Sequence, residues 1–118
     1  MVTAQELRFA SVQQLGMWLR RGQTTAVELA TLSLERLDTV GRDLNAVVTL
    51  TPERALAEAA QADAELARGL DRGPLHGIPY GAKDLLAVAG YPTTWGAAPL
   101  RDQYFLEDAT VITLMREA

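Results

Sequence analysis

Residues 73–96 read GPLHGIPYGAKDLLAVAGYPTTWG, a stretch in which glycine and proline are dense and charged residues are sparse. Ile78–Ala82 is a short apolar run that predicts a buried strand, although Pro79 favours a start just after it. Lys83 and Asp84 follow at the carboxyl end of that strand, where ligands bind in open α/β sheets. The stretch therefore predicts an α/β fold with a lysine at a binding edge.

Lys83 is the only lysine in a chain that carries ten arginines. Arginine keeps its proton near neutral pH, whereas lysine can lose it. Partial burial among apolar neighbours disfavours a charged amine, so Lys83 at a strand end is a candidate general base. Gly77 and Gly81 would let other backbone approach closely there. The alternatives are a lysine that remains on the surface by chance and an ordinary Lys-Asp turn.

Four helices are predicted, three before this stretch and one after it. The first three begin at a capping hydroxyl and end at a glycine: Ser11 to Gly22, Thr25 to Gly41 and Thr51 to Gly69. Thr25 and Glu28 have the spacing of a capping box, and Asn45–Leu50 predicts a short strand. Asp108 is predicted to cap a last helix that reaches Ala118 with no stop signal, which favours a sequence truncated at its carboxyl end.

The composition excludes several classes of function. The net charge is −4, with acidic and basic residues interspersed, so no nucleic-acid-binding surface is predicted. The absence of cysteine excludes disulfides, and a single histidine cannot supply the usual zinc ligands. Neither a secretory signal nor a membrane-spanning segment is evident, so we expect a cytoplasmic protein that does not contact the membrane.

The motifs in this stretch resemble the opening of the amidase signature family. That family's pattern is Gly-Pro-Leu-His-Gly-Ile-Pro, then Lys-Asp, then Gly-x-x-Thr-Thr, matched here by residues 73–79, 83–84 and 90–94. The resemblance extends over nearly the whole chain from about Gln23. It implies that residues 1–118 are the N-terminal portion of a single amidase domain, truncated at the C-terminal end. Such a portion would hold N-terminal helices and the first strands of a mixed, helix-covered sheet.

The resemblance also implies a mechanism, because the family uses a Ser–cis-Ser–Lys triad on amide bonds. Lys83 aligns with the lysine of that triad, and no cofactor is implied. The chain has only two serines, Ser11 at a helix cap and Ser33 within a helix, and neither lies in a Gly/Ser-rich loop. Both catalytic serines are therefore expected beyond Ala118, and the chain alone is expected to be inactive.

Three functions are compatible with this resemblance. The first is hydrolysis of C–N bonds in linear amides, with a small-molecule amide as substrate and no direct contact with nucleic acid. The second is that of the amidotransferase component of a glutamyl/aspartyl-tRNA amidotransferase complex. The third is a non-catalytic, stand-alone α/β module that binds or self-associates through an exposed sheet edge.

Other polar residues in the stretch have structural interpretations. His76 is expected to be a hydrogen-bonded structural histidine. Asp84 could pair with Lys83, but bonding to loop amides or facing outward is at least as compatible with the sequence. Thr93 and Thr94 are expected to satisfy buried loop backbone. The two tryptophans, Trp18 and Trp95, are expected to pack in the core or at its edge.

Overall fold

The structure, a computed structural model, describes all 118 residues and consists of two compact units, Met1–Pro79 and Tyr80–Ala118. Five α-helices are present: α1 Ala4–Phe9, α2 Val12–Arg20, α3 Ala26–Arg36, α4 Pro52–Ala67 and α5 Thr110–Glu117. A π-helical turn, Leu37–Gly41, continues α3, and a 3₁₀ turn spans Ala98–Leu100. None of these helices is both long enough and apolar enough to cross a membrane.

The first two helices begin at capping boxes. In a capping box, two side chains accept hydrogen bonds from amide groups at the start of the helix that have no partner within the helix itself. At α2 the Ser11 hydroxyl accepts from the Gln14 amide at 3.2 Å, and the Gln14 side chain accepts from the Ser11 amide at 2.9 Å. The predicted cap at Ser11 is confirmed. Thr3 and Glu6 form the same reciprocal pair at α1, a helix that was not predicted although its Thr-x-x-Glu spacing marks it.

The start of α3 matches the predicted capping box only in part. The Thr25 hydroxyl accepts from the Glu28 amide at 3.0 Å, as predicted. The Glu28 carboxylate, however, accepts from the Thr24 hydroxyl at 2.7 Å. It therefore does not return to the Thr25 amide, and that half of the prediction is wrong.

Helices α3 and α4 pack against each other, and a carboxylate on α4 completes the cap of α3. Asp63 accepts from the amides of Ala26 at 2.7 Å and Val27 at 3.1 Å, the first two residues of α3. Small residues at the contact allow the two helices to approach closely. The core of this unit consists of buried residues from α1 to α4: Leu7, Leu19, Ala26, Leu29, Ala30, Ala59 and Ala62.

Gly77 lies against this core in a conformation that favours glycine, with φ at 82°. A Cβ atom there would lie 3.2 Å from Leu19 Cδ1 and 3.4 Å from Ala26 Cβ. Side chains approach Gly77 closely, whereas the predicted approach of other backbone is not found there. At Gly81 the prediction is wrong, because no atom lies within 4 Å of the equivalent position.

The predicted strands are not formed within residues 1–118. Ile78–Ala82 and Asn45–Leu50 both lie outside regular structure, and the one β-type pairing is an isolated antiparallel bridge between Pro92 and Tyr104. A strand requires a neighbour that supplies ladder hydrogen bonds, and neither run forms such bonds with another segment of this chain. The sheet is thus not confirmed, and the sheet edge expected to mediate self-association is not present here.

The predicted cap of the last helix is also wrong. α5 begins at Thr110 with Ala109 at its cap position, and no side chain caps it. Asp108 instead accepts from the Ala89 amide at 2.8 Å and forms an ion pair with Arg116 at 3.2 Å. Its carboxylate therefore bonds the amide of Ala89, nineteen residues earlier in the same unit, rather than an amide at the start of α5.

Candidate functional site

Lys83 lies in an irregular segment of the Tyr80–Ala118 unit. Its carbonyl oxygen accepts from the Leu86 amide at 3.0 Å, which closes a turn. The side chain is exposed and forms no hydrogen bond or ion pair with the rest of the chain. The predicted placement at a strand end is not confirmed, because residues 1–118 form no strand there, and the expected partial burial of the amine is not provided by this chain.

Asp84 is bonded to the loop that contains the Thr-Thr motif. Its carboxylate accepts from the Thr94 amide at 2.9 Å and from the Thr94 hydroxyl. Its carbonyl oxygen accepts from the Trp95 amide at 3.1 Å. Asp84 thus bonds loop amides, one of the alternatives considered above, and forms no ion pair with Lys83.

The Thr-Thr motif is buried, and both of its residues form hydrogen bonds. The Thr94 hydroxyl, besides donating to Asp84, accepts from the Gly96 amide at 3.2 Å. Thr93 acts through its main chain: its amide donates to the Gln103 carbonyl at 2.8 Å, and its carbonyl accepts from the Gln103 side chain at 3.0 Å. The expectation that the hydroxyls satisfy buried loop backbone is confirmed for Thr94 and not for Thr93, whose hydrogen bonds are made by its main chain.

Trp95 is half exposed and lies at the edge of this loop. Its ring centroid is 6.1 Å from that of Phe105, and its backbone has φ at 53°, which is uncommon for a bulky residue. The amide of Trp95 donates to the Asp84 carbonyl at 3.1 Å. The edge-packing expectation therefore fits Trp95, and Trp18 packs partly buried against the core of the other unit.

His76 belongs to a buried hydrogen-bond network in the Met1–Pro79 unit. Its Nδ1 accepts from the Arg72 amide at 3.0 Å, so the proton resides on Nε2, which donates to Glu65 at 3.0 Å. Glu65 also accepts from Gln61 at 2.9 Å and from the Arg72 guanidinium at 2.6 Å. These bonds, that of Gln61 foremost, lower the pKa of Glu65. His76 is thus a structural histidine, as expected.

An ion pair and an open groove lie at the start of the Gly-Pro-Leu-His motif. Arg20 donates to Asp71 at 2.7 Å and to the Gly73 carbonyl at 2.7 Å. The Arg20 hydrogen bond, followed by the Gly73 amide, lowers the pKa of Asp71 to about 2. An open groove of about 590 Å³ is lined by residues of this unit: Val12, Gln13, Gly16, Met17, Arg20, Gly73 and Pro74.

Lys83 offers an amine that has no hydrogen-bond or ion-pair partner within this chain, and it precedes the hydrogen-bonded Asp84. No group of three or more histidine or acidic side chains is placed to hold a metal ion. Lys83 and Asp84 both belong to the recognised motif, yet the bond between Asp84 and Thr94 was missed by sequence reasoning. Asp84 and Thr94 both belong to the motif. They are ten residues apart in an irregular segment, and no periodic pattern of the sequence predicts a contact at that separation.

Comparison with known proteins places the chain in a family. The family description "Amidase" matches residues 28–118. An acylamidase of Rhodococcus erythropolis is 32% identical over 117 residues, which cover 99% of this chain and 24% of the relative. A glutamyl-tRNA(Gln) amidotransferase component of Azoarcus sp. (strain BH72) is 43% identical over 109 residues, covering 92% and 22% respectively.

A solved structure supports the same assignment. The native peptide amidase of Stenotrophomonas maltophilia superposes with a TM-score of 0.85 at 33% identity, over 92% of this chain and 23% of that enzyme. This match supports the α/β class, although residues 1–118 themselves form no strand. The chain spans about a quarter of the length of these relatives. By the extent of these matches, the chain belongs to the amidase family.

Proposed function

We propose that this chain is part of an amide-bond hydrolase in which Lys83 is the general base of a Ser–cis-Ser–Lys triad. The observation that carries the proposal is the family match over residues 28–118, which includes the Lys-Asp and Thr-Thr motifs intact. Relatives named as an acylamidase and a peptide amidase favour hydrolysis of a C–N bond in a linear amide.

In this reaction the neutral amine of Lys83 accepts a proton from a bridging serine. That serine takes the proton of the nucleophilic serine, whose oxygen attacks the amide carbonyl and forms an acyl-enzyme. The amine of the substrate leaves with a proton, and water then hydrolyses the acyl-enzyme. No carboxylate of this chain forms an ion pair with Lys83.

The two serines of this chain do not fill the serine positions of the triad in our proposal. The Ser11 hydroxyl accepts from the Gln14 amide as the cap of α2, and Ser33 lies within α3. We therefore propose that residues 1–118 form part of a single amidase domain and do not hydrolyse amides by themselves. The reaction would require serines supplied by the remainder of such a domain.

A second candidate is the corresponding component of an amidotransferase that acts on glutamyl-tRNA(Gln). The identity of 43% to a relative of that name favours it. The two candidates share the triad and differ in the fate of the amine that leaves when the acyl-enzyme forms. The hydrolase releases this amine, whereas the amidotransferase passes it as ammonia to the charged tRNA. Glutamine-dependent amidation of glutamyl-tRNA by the protein would select the second candidate, and release of acid and amine from simple amides without tRNA would select the first.

The experiment that tests the proposal compares variants of the product of the whole gene on linear amide substrates. Lys83→Arg keeps a long cationic side chain but cannot become neutral near pH 7, so we expect kcat/KM to fall by ~10³-fold or more. Arg68→Lys is the matched control, because Arg68 is exposed and unpaired beyond the end of α4. An unchanged kcat/KM in Lys83→Arg would refute the assignment of Lys83.

A further inference from the structure

Lys83 combines a free side chain with a main chain that is restrained on its C-terminal side. The Lys83 carbonyl accepts from Leu86 at 3.0 Å, and the next residue, Asp84, is bonded through both its carbonyl and its carboxylate. The partners of Asp84 are the consecutive residues Thr94 and Trp95. The main chain next to Lys83 is therefore restrained by hydrogen bonds from Thr94 and Trp95 to Asp84.

We call the hydrogen bonds that join Asp84 to Thr94 and Trp95, together with the bond between Thr94 and Gly96, the Asp84–Thr94 clamp. The Thr94 hydroxyl takes part in two of these bonds. One hydroxyl donates to the Asp84 carboxylate and accepts from the Gly96 amide. Thr94 is buried, so water cannot readily replace either bond. Removal of the hydroxyl would leave the Gly96 amide and one carboxylate oxygen without this partner.

We propose that Asp84 and Thr94 are positioning residues that set the orientation of Lys83 for proton transfer. This inference rests on the function proposed above, because it assigns the clamp to the same lysine. Neither residue is a catalytic residue here: Asp84 directs its carboxylate to Thr94 rather than to Lys83. The clamp acts through the backbone that joins Asp84 to Lys83.

The effect expected from a loosened clamp follows from the geometry of proton transfer. A general base must lie within hydrogen-bond distance of the proton that it accepts. A misplacement of about 1 Å at a reacting group lowers the rate by ~10²-fold. A clamp variant should consequently lower kcat and leave KM nearly unchanged, since substrate binding does not depend on the direction of the lysine.

The experiment uses the product of the whole gene and compares Thr94→Val with Thr94→Ser. Valine keeps the shape of threonine and removes the hydroxyl, whereas serine keeps the hydroxyl. We expect Thr94→Val to lower kcat by ~10- to 100-fold with KM within about twofold, and Thr94→Ser to retain most of kcat. Hydrogen exchange should show faster exchange of the Gly96 amide in Thr94→Val and not in Thr94→Ser.

A second variant covers the case in which Thr94→Val does not fold. Asp84→Glu keeps the charge but displaces the carboxylate by one methylene, ~1.5 Å, and should lower kcat with little change in KM. Wild-type kcat in folded Thr94→Val, or in Asp84→Glu where Thr94→Val is unfolded, would overturn the positioning role.

Lys83→Arg measured in the same series separates the two proposals. An inactive Lys83→Arg together with a fully active Thr94→Val would refute the clamp and leave the proposed function intact. A fully active Lys83→Arg would refute both, because there would be no base for the clamp to position.

Discussion

At the scale of single residues, Gly77 lies where the Gly-Pro-Leu-His-Gly motif packs against helices α2 and α3 of the same unit. Its positive φ and the 3.2 Å approach of Leu19 Cδ1 leave no room for a side chain without strain. We expect Gly77→Ala to destabilise the protein by ~1–2 kcal/mol, since a non-glycine residue in the left-handed region costs about that much and the added methyl is crowded.

Gly81→Ala is the control for this prediction, because Gly81 has neither a positive φ nor a neighbour within 4 Å of its Cβ position. Its unfolding midpoint in urea should remain close to that of the wild type. Equal midpoints for Gly77→Ala and Gly81→Ala would contradict this account of the contact.

The structural role of a single residue could be predicted from the sequence where its side chain has few possible hydrogen-bonding roles. The buried histidine His76 and the loop hydroxyl of Thr94 took the roles that their chemistry favours. Asp108 did not, because its carboxylate accepts from the Ala89 amide, nineteen residues away. A short acidic side chain has many available donors, and the donor it meets depends on tertiary distances that local sequence does not contain.

At the scale of elements, the Arg20–Asp71 pair ties the end of α2 to the segment that leads into the motif. The pKa of Asp71 is lowered from 3.8 to about 2 in the folded protein, chiefly by the hydrogen bond from Arg20. A carboxyl with a lowered folded pKa stabilises the fold above its unfolded pKa. This contribution is therefore lost as the pH falls from about 4 towards about 2.

Asp71→Asn should remove this pH dependence. The difference in unfolding midpoint between wild type and Asp71→Asn, measured in urea from pH 6 down to pH 2, is expected to shrink through the pH window between the unfolded and folded pKa values of Asp71. The pair is partly exposed, so the difference should also fall with added salt. A difference that stays constant across this pH range would contradict the assigned pKa.

Four of the five helices were predicted from sequence, whereas neither predicted strand is formed in residues 1–118, and the difference has a physical reason. A helix satisfies its amides within one segment, so caps such as Ser11 and glycine stops such as Gly22 and Gly69 mark it locally. A strand depends on a partner elsewhere in the protein. The apolar run Ile78–Ala82 has the composition of a strand, but no partner strand exists in residues 1–118.

At the scale of the whole molecule, the chain exposes several large apolar side chains, including Leu106 and Leu114. Self-association through an exposed sheet edge stays a prediction, and no sheet edge is formed within residues 1–118. Lys83 is likewise exposed within residues 1–118. In our proposal the surroundings that would keep its amine neutral are contributed by the remainder of the amidase domain.

In our proposal, Lys83 provides the amine that accepts a proton during amide hydrolysis. The most direct measurement is kcat/KM of the Lys83→Ala variant of the whole gene product, with and without an added primary amine such as ethylamine. We predict that kcat/KM falls by ~10³-fold or more in Lys83→Ala and that ethylamine partly restores it. Tetraethylammonium should not restore it, because its nitrogen has no lone pair that could accept a proton. A Lys83→Ala variant with the kcat/KM of the wild type would contradict the account.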